Sequence, residues 1–287
     1  MIKYIRNKTQ GEYRELMSFC EFYNEDCFVN MKGFKDKSIN LILTSPFYNT
    51  NKKAGKKNTL ENTEIKKGTY SYIRYDEHVD NMTDEEYEDF TKRLFNEFDR
   101  IVVNNGVVLY NLSYSNENPA NLFSLVDMIC EETNWTIADI IVWKKKSALP
   151  NNCSSNRLTR IFEFVFVFCR KGEEKTFYAN KRVISLRATG QKSYENIFNF
   201  IEAKNNDGPC PLNKATYSTD LCKQLLRIYA NPEDKDFVVY DPFMGTGTTA
   251  NACVLNGLNY IGSELSPKQC DYAKTRIEGN KNNLFSL

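Results

Sequence analysis

Tyr240-Asp241-Pro242-Phe243-Met244-Gly245-Thr246-Gly247-Thr248-Thr249-Ala250 reads as a strand that ends in a glycine turn and opens a helix. Glycines at such a turn let a nucleotide-like ligand approach the backbone, and the helix start offers N–H groups with no partner inside the helix. About twenty residues on, Ile261-Gly262-Ser263-Glu264 sets an acid at the end of the next strand, where a carboxylate accepts hydrogen bonds from both hydroxyls of a ribose. A bare Gly-x-Gly is only a tight strand-to-helix turn; the acid at this spacing is what argues for a binding site. No Lys follows the second glycine, so a phosphate-binding loop is disfavoured.

Outward from this segment, strand and helix patterns alternate. Ile39 to Thr44, Val107 to Leu112, Ile137 to Trp143, Phe164 to Cys169, Val238 to Tyr240 and Tyr260 to Gly262 read as buried strands. The second of these is expected to follow a turn at Asn104-Asn105-Gly106. Thr83 to Arg100, Leu122 to Glu132, Thr219 to Ala230, Thr248 to Asn256 and Pro267 to Glu278 read as helices, the first opened by the capping signature Thr83-Asp84-Glu85-Glu86. Alternation of this kind predicts an α/β fold with a doubly wound sheet. The 287 residues fit one domain, 1–287, with two segments lacking regular pattern: a Lys-rich insertion at 49–82 and a second at 171–211.

A second segment, Leu43-Thr44-Ser45-Pro46-Phe47-Tyr48-Asn49, also closes a strand, and ligands of open α/β sheets bind at the carboxyl ends of strands. Pro46 stiffens the chain and aims carbonyls outward. Ser45 Oγ and the Pro46 carbonyl are hydrogen-bond acceptors, and Tyr48 is a flat ring beside them. Chemistry on an exocyclic amine of a base requires these parts, because the base must leave the stack, lie against an aromatic ring and have its amine hydrogens accepted.

Composition bounds the rest. With 41% hydrophobic and 26% charged residues, and no apolar run near the ~18 needed to span a bilayer, a soluble, cytoplasmic protein is expected. The N-terminal stretch Met1 to Lys8 shows no signal-peptide pattern. Nine cysteines, odd in number and without a C-x-x-C pair, read as reduced, mostly buried thiols. One histidine, His78, excludes a multi-histidine metal site, so no metal is expected. Net charge is +1, but lysines cluster at Lys52, Lys53, Lys56, Lys57, Lys66 and Lys67 and again at Lys144, Lys145 and Lys146, facing an acidic block from Asp76 to Asp89. Such asymmetry suits a surface with one basic side turned to phosphate.

Taken together, the two motifs resemble those of β-class S-adenosylmethionine-dependent DNA amino-methyltransferases, in which a Ser/Asp-Pro-Pro-Tyr motif precedes an Asp-Pro-Phe-x-Gly-x-Gly-Thr motif. The similarity runs from about Glu21 to Ile277. It implies a Rossmann-like, mostly parallel sheet with an antiparallel strand and a circularly permuted motif order. It implies Ser45, Pro46, Phe47 and Tyr48 as the catalytic set. For S-adenosylmethionine it implies Asp26 (on the adenine), Tyr217, Ser218, Asp241, Phe243, Gly245, Gly247, Thr248 and Glu264. Arg157 to Phe166 resembles a late strand of the family's sheet, and 171–211 takes the place of its target-recognition region. The substrate implied is DNA, cytosine N4 favoured over adenine N6, in a restriction-modification setting with a cognate endonuclease as partner and a monomer or homodimer as the assembly. The chain departs from the family where Phe47 replaces the second Pro and where Asn213-Lys214 and Tyr217-Ser218 replace His-Pro and Phe-Pro pairs. A catalytically silent nucleic-acid-binding scaffold is the alternative those departures leave open. Pro209-Cys210 echoes the nucleophile of cytosine C5 enzymes, but an amine nitrogen needs no thiolate to activate it, and the cysteine sits in a Gly/Pro loop. Protein-glutamine methyltransferases carry their Asn-Pro-Pro-Tyr after the cofactor motif, the reverse of the order here.

Overall fold

The computed structural model describes residues 19–49, 82–114, 119–147, 155–210, 212–213 and 216–285, with the backbone of two further strands near the N-terminus. The elements in chain order are β1 (Ile5–Thr9), β2 (Glu12–Leu16), β3 (Cys20–Tyr23), α1 (Cys27–Lys32), β4 (Ile39–Thr44), α2 (Asp84–Ile101), β5 (Val102–Leu112) and α3 (Asn121–Glu132). They continue with β6 (Trp135–Lys145), β7 (Phe162–Arg170), β8 (Val183–Leu186), β9 (Lys192–Tyr194), β10 (Phe200–Ala203), α4 (Thr219–Tyr229), β11 (Val238–Asp241), α5 (Thr248–Leu255), β12 (Asn259–Ser263) and α6 (Pro267–Phe285).

Eight strands form one sheet in the order β10-β6-β7-β5-β4-β11-β12-β3. Only β7 runs against its neighbours, pairing antiparallel with both β5 and β6. The central strands β4, β7 and β11 are buried on both faces, most of their side chains alternating between two cores. On β4, Leu41 and Leu43 face a core shared with α4, α5 and α6, while Ile39 and Ile42 face one shared with α1, α2 and α3. On β7, Val165 and Val167 join the first core, Phe166 and Phe168 the second. These three layers are the doubly wound α/β architecture that the alternating pattern predicts.

Thr83 caps α2 with a reciprocal capping box to Glu86, as its sequence signature predicts. Arg170 locks the far end of that helix to the sheet. Its guanidinium lies 2.5 Å from Asp99 Oδ1, donates to the carbonyls of Val102 and Val103, and sits 4.9 Å from the centre of the Trp135 ring.

Three expectations are corrected. Asn104-Asn105-Gly106 does not turn the chain but forms an irregularity inside β5, where the register jumps from Ile39↔Val102 to Leu41↔Val107. Asn105 takes a positive φ there, held by a hydrogen bond from its N–H to Glu173, so a distant partner overrides local turn chemistry. The segment 171–211 is not without pattern: it holds the β8–β9 hairpin and also β10, which joins the main sheet beside β6. The Lys144–Lys146 run is no free basic patch, because its members pair with Glu202, Glu163 and Asp220. The Lys-rich insertion, with His78, lies outside the described residues, of which Asn49 and Met82 flank it and are joined by a 3.0 Å hydrogen bond.

Candidate active site

Both motifs end strands that are neighbours, β4 and β11. From β4 the chain continues to β5 on one side, and from β11 it continues to β12 on the other. A crevice outside the carboxyl ends of two such diverging strands is where open α/β sheets bind ligands. Here it is a cleft lined by residues of both motifs.

Asp241 fastens the two strand ends together. Its carboxylate is fully buried and accepts hydrogen bonds from Thr44 Oγ1 at 2.6 Å, Thr249 Oγ1 at 2.7 Å and the Phe243 N–H at 3.1 Å, with Tyr217 Oη at 3.4 Å. Burial pushes its pKa up to about 6, against the pull of those donors. One side chain thus ties β4, β11, the start of α5 and the segment before α4.

The turn after β11 needs both its glycines. Gly245 and Gly247 have φ of 53° and 78°, the left-handed region, and a Cβ on Gly247 would come within 2.8 Å of Ala273 Cβ on α6. Glu264 stabilises the turn from the end of β12, accepting from the Gly245 N–H at 2.8 Å and the Ser266 N–H at 2.9 Å. Its carboxylate faces the cleft. Asp26, on the neighbouring segment that follows β3, is the N-cap of α1, accepting from the Phe28 N–H at 2.8 Å.

Of the residues expected at the site, Asp26, Ser45, Phe47, Tyr217, Phe243, Gly245, Thr248 and Glu264 line this cleft. Five do not. Asp241 is inside the protein as described, and Ser218 is the buried N-cap of α4, accepting from the Leu221 N–H. Gly247 packs against α6. Pro46 is buried beside the cleft, and Tyr48 turns away from it toward β5 and β7. Phe47 is no exposed stacking surface: it is 7% exposed, its ring lies 5.3 Å from those of Tyr87 and Phe90 and 6.0 Å from Phe243, and Tyr87 Oη donates to its carbonyl at 2.6 Å. An aromatic wall therefore occupies the place where the family has its second proline.

The sequence reading missed Phe90, Met244, Thr246 and the hydrogen-bonded pair Asn213–Gln269, all on the cleft. Met244 and Thr246 stand between the residues of the glycine motif and Asn213 opens the segment that replaces the His-Pro pair, which were usable signals; Phe90 and Gln269 come from helices that no local pattern marks. It also missed a polar group beside Ser45. Tyr48 Oη is 2.9 Å from Asn111 Oδ1 and 3.1 Å from Glu163 Oε2, and Lys145 Nζ is 2.5 Å from Glu163 Oε1.

The described cysteines are free, and all but Cys130 and Cys210 are buried. Cys27 lines the cleft, where burial pushes its thiol up to about 12, out of nucleophile range. Cys210 lines a separate pocket with Asp207, Tyr272 and Arg276, away from Ser45. No helix among the described residues is long and apolar enough to cross a membrane.

Known proteins resemble this chain in sequence and in fold. The type II methyltransferase M.Cfr9I of Citrobacter freundii is 29% identical over 158 residues, 55% of this chain, and the chain spans about half (49%) of that relative's length. The type II methyltransferase M.MthZI of Methanothermobacter thermautotrophicus is 26% identical over 285 residues, covering 86% of this chain and 74% of the relative. The solved structure of PvuII DNA methyltransferase (cytosine-N4-specific) shares the fold over 94% of this chain and 93% of its own, with a TM-score of 0.63 at 16% identity. The family described as DNA methylase, of the N6/N4 type, matches residues 39–275, most of the chain and both motifs within it. The chain belongs to the N6/N4 DNA methylase family.

Proposed function

We propose that this protein transfers a methyl group from S-adenosylmethionine to the exocyclic amine of a base flipped out of DNA, cytosine N4 being the favoured target. One observation carries the reading: Ser45, at the end of β4, lines the same cleft as Gly245 and Glu264, at the ends of β11 and β12. Amine acceptors and a nucleoside cradle share one wall.

The residues fit the cofactor. Glu264 is fixed by two backbone N–H groups with its carboxylate on the cleft, suited to the ribose hydroxyls. Asp26 stands at the wall where the adenine amine would donate, Phe47, Phe90 and Phe243 give that region an apolar lining, and Thr246 and Thr248 stand at the start of α5, where a carboxylate is favoured. When bound, the cofactor supplies an electrophilic methyl on a sulfonium.

The chain's own part in the reaction is positioning. Ser45 Oγ and the Pro46 carbonyl accept from the amine hydrogens, pull electron density toward nitrogen and stabilise the positive charge that grows on it during attack. Tyr48, its hydroxyl tied to Asn111 and Glu163, would offer its ring face to the extruded base on the β5 and β7 side of Ser45. No covalent intermediate is needed, since the amine nitrogen is itself the nucleophile. Target recognition falls to the exposed, basic β8–β9 region, where Lys181, Arg182, Arg187 and Lys192 reach solvent, together with the Lys-rich segment 51–67.

The test is nucleoside mass spectrometry of DNA from cells making the protein. N4-methylcytosine is expected; N6-methyladenine would reassign the base, and neither would refute the function. Tyr48→Ala should lower turnover about a hundredfold or more while leaving cofactor affinity within about twofold, since Tyr48 does not line the cofactor cleft. Normal methylation by that variant would remove Tyr48 from the site.

A further inference from the structure

Glu163 is an unusual residue for its strand. It interrupts the run Ile161–Cys169, otherwise apolar, and its side chain is only 14% exposed. Burying a carboxylate costs several kcal/mol unless it is paired and hydrogen-bonded. Lys145 supplies the pairing at Oε1. The other oxygen, Oε2, is turned to Tyr48 Oη at 3.1 Å, and Tyr48 Oη is 3.1 Å from Ser45 Oγ.

Asn111 sets the direction of this chain. Its Nδ2 donates to the Phe164 carbonyl at 2.9 Å, which leaves Oδ1 aimed at the two hydroxyls, 2.9 Å from Tyr48 and 3.3 Å from Ser45. An amide oxygen, a carboxylate and two hydroxyls share two protons. One arrangement of these protons has Ser45 donating to Tyr48 and Tyr48 donating to Glu163, a continuous path from the cleft wall to a carboxylate.

Methylation of an amine creates a need for such a path. With the cofactor bound, transfer would form the N–CH3 bond at the expense of the S–CH3 bond and would leave the positive charge on the nitrogen until it releases a proton. We propose, resting on the methyl-transfer reading above, that Glu163 is the terminal acceptor of that proton, reached through Ser45 and Tyr48. The amine proton passes to Ser45 Oγ as the Ser45 proton moves to Tyr48 Oη and the Tyr48 proton to Glu163 Oε2. The N–H bond breaks, an O–H bond forms on the carboxyl, and both hydroxyls end as they began. Glu163 does not touch the substrate; it acts through Tyr48 as a positioning residue and proton sink.

Three elements pack around Glu163. From β6 it is met by Lys145, from the segment after β4 by Tyr48, and β5 presents the uncharged Asn111. Arg160, just before β7, is engaged with Tyr114, whose ring lies 5.0 Å from its guanidinium and whose carbonyl accepts from it.

The experiment compares wild type, Glu163→Gln, Tyr48→Phe and the double variant in single-turnover methylation of DNA from about pH 6 to about pH 9. Glu163→Gln should lower the rate about tenfold or more near neutral pH, with a rate that climbs as hydroxide replaces the missing acceptor. KM for DNA and calorimetric cofactor affinity should stay within about twofold of wild type. Tyr48→Phe keeps the ring and the Lys145–Glu163 pair, so it should show the same loss and the same pH dependence; it carries the test alone where Glu163→Gln does not fold. The double variant should be no slower than either single one. A Glu163→Gln rate within about twofold of wild type at every pH overturns the relay, as does a rise in KM with an unchanged pH profile, the signature of a structural role. Those outcomes beside a methylating wild type leave the proposed function standing, whereas a wild type that methylates no DNA overturns both.

Discussion

Asp241→Asn isolates the electrostatics of the buried staple between the two motifs. In wild type, Asp241 has no solvent contact, and burial outweighs its donors, raising the pKa from 3.8 to about 6. The folded state therefore binds this proton more tightly than the unfolded chain. The stabilisation is complete below the unfolded value near 3.8 and is lost as pH rises through about 6. At ~1.4 kcal/mol per pH unit between those two values, the charged carboxylate leaves the fold about 3 kcal/mol less stable at neutral pH than it would be with the proton in place.

Asn fits the same site. Its oxygen takes the donors of Thr44 and Phe243, and its amide can donate to the hydroxyls of Thr249 and Tyr217, which rotate to accept. It does not titrate. Urea unfolding of both proteins from pH 4 to pH 8 should show the stability of Asp241→Asn minus that of wild type rising by about 3 kcal/mol, most of it between pH 4 and about pH 6. The subtraction cancels groups of opposite sign, such as Asp99, which burial pushes up but hydrogen bonds from Asn134 and Arg170 hold below its ordinary value. A difference that is flat with pH would refute the reasoning. One that falls would show that the four donors, not burial, set the state of this carboxyl.

Glu264→Ala should weaken S-adenosylmethionine binding by about 2 kcal/mol, roughly thirtyfold, since it removes a charged acceptor from the cleft wall; calorimetry checks this, and an unchanged Kd would take the carboxylate out of the cofactor site. Arg170→Met should destabilise the fold by about 3–5 kcal/mol in denaturant unfolding, because it strips Asp99 and the Val102 and Val103 carbonyls of their buried donor; a loss under about 1 kcal/mol would mean that water replaces the guanidinium without penalty.

The sequence made the central strands plain because they are buried on both faces, and an apolar run bounded by turn residues is the direct record of that environment. It was silent at the margins for the same reason. β3 lies at an edge and is only partly buried, so Cys20-Glu21-Phe22-Tyr23 carries no clean period, and β10 alternates over four residues, too few to stand out. The lysines at the end of β6 read as a patch because their acidic partners, Glu202, Glu163 and Asp220, arrive from elsewhere in the chain. Glu163 was visible only as an interruption of apolar sequence. That a charge in such a place must have partners was inferable; that one of them is Tyr48 was not.

The same distinction governs the site itself. A motif records which residues a function needs, but not which of them touch the ligand and which hold the others in place. Gly245 and Glu264 occupy the cleft, whereas Asp241, between them in kind and adjacent in sequence to the turn, is turned inward onto Thr44, a residue 197 positions earlier in the chain. That inward turn is what the two motifs require of it. Ser45 can serve an amine only if it is held against the cradle built by β11 and β12, and β4 and β11 pair at only two register positions, Val239↔Leu41 and Tyr240↔Ile42. Beyond that short ladder, the bond from Thr44 to Asp241 continues the join to the rim of the cleft, one residue before Ser45. On the proposed reading, the acid of the glycine motif is thus better understood as the fastening between the segment that would cradle the methyl donor and the one that would accept the amine than as a contact to either ligand.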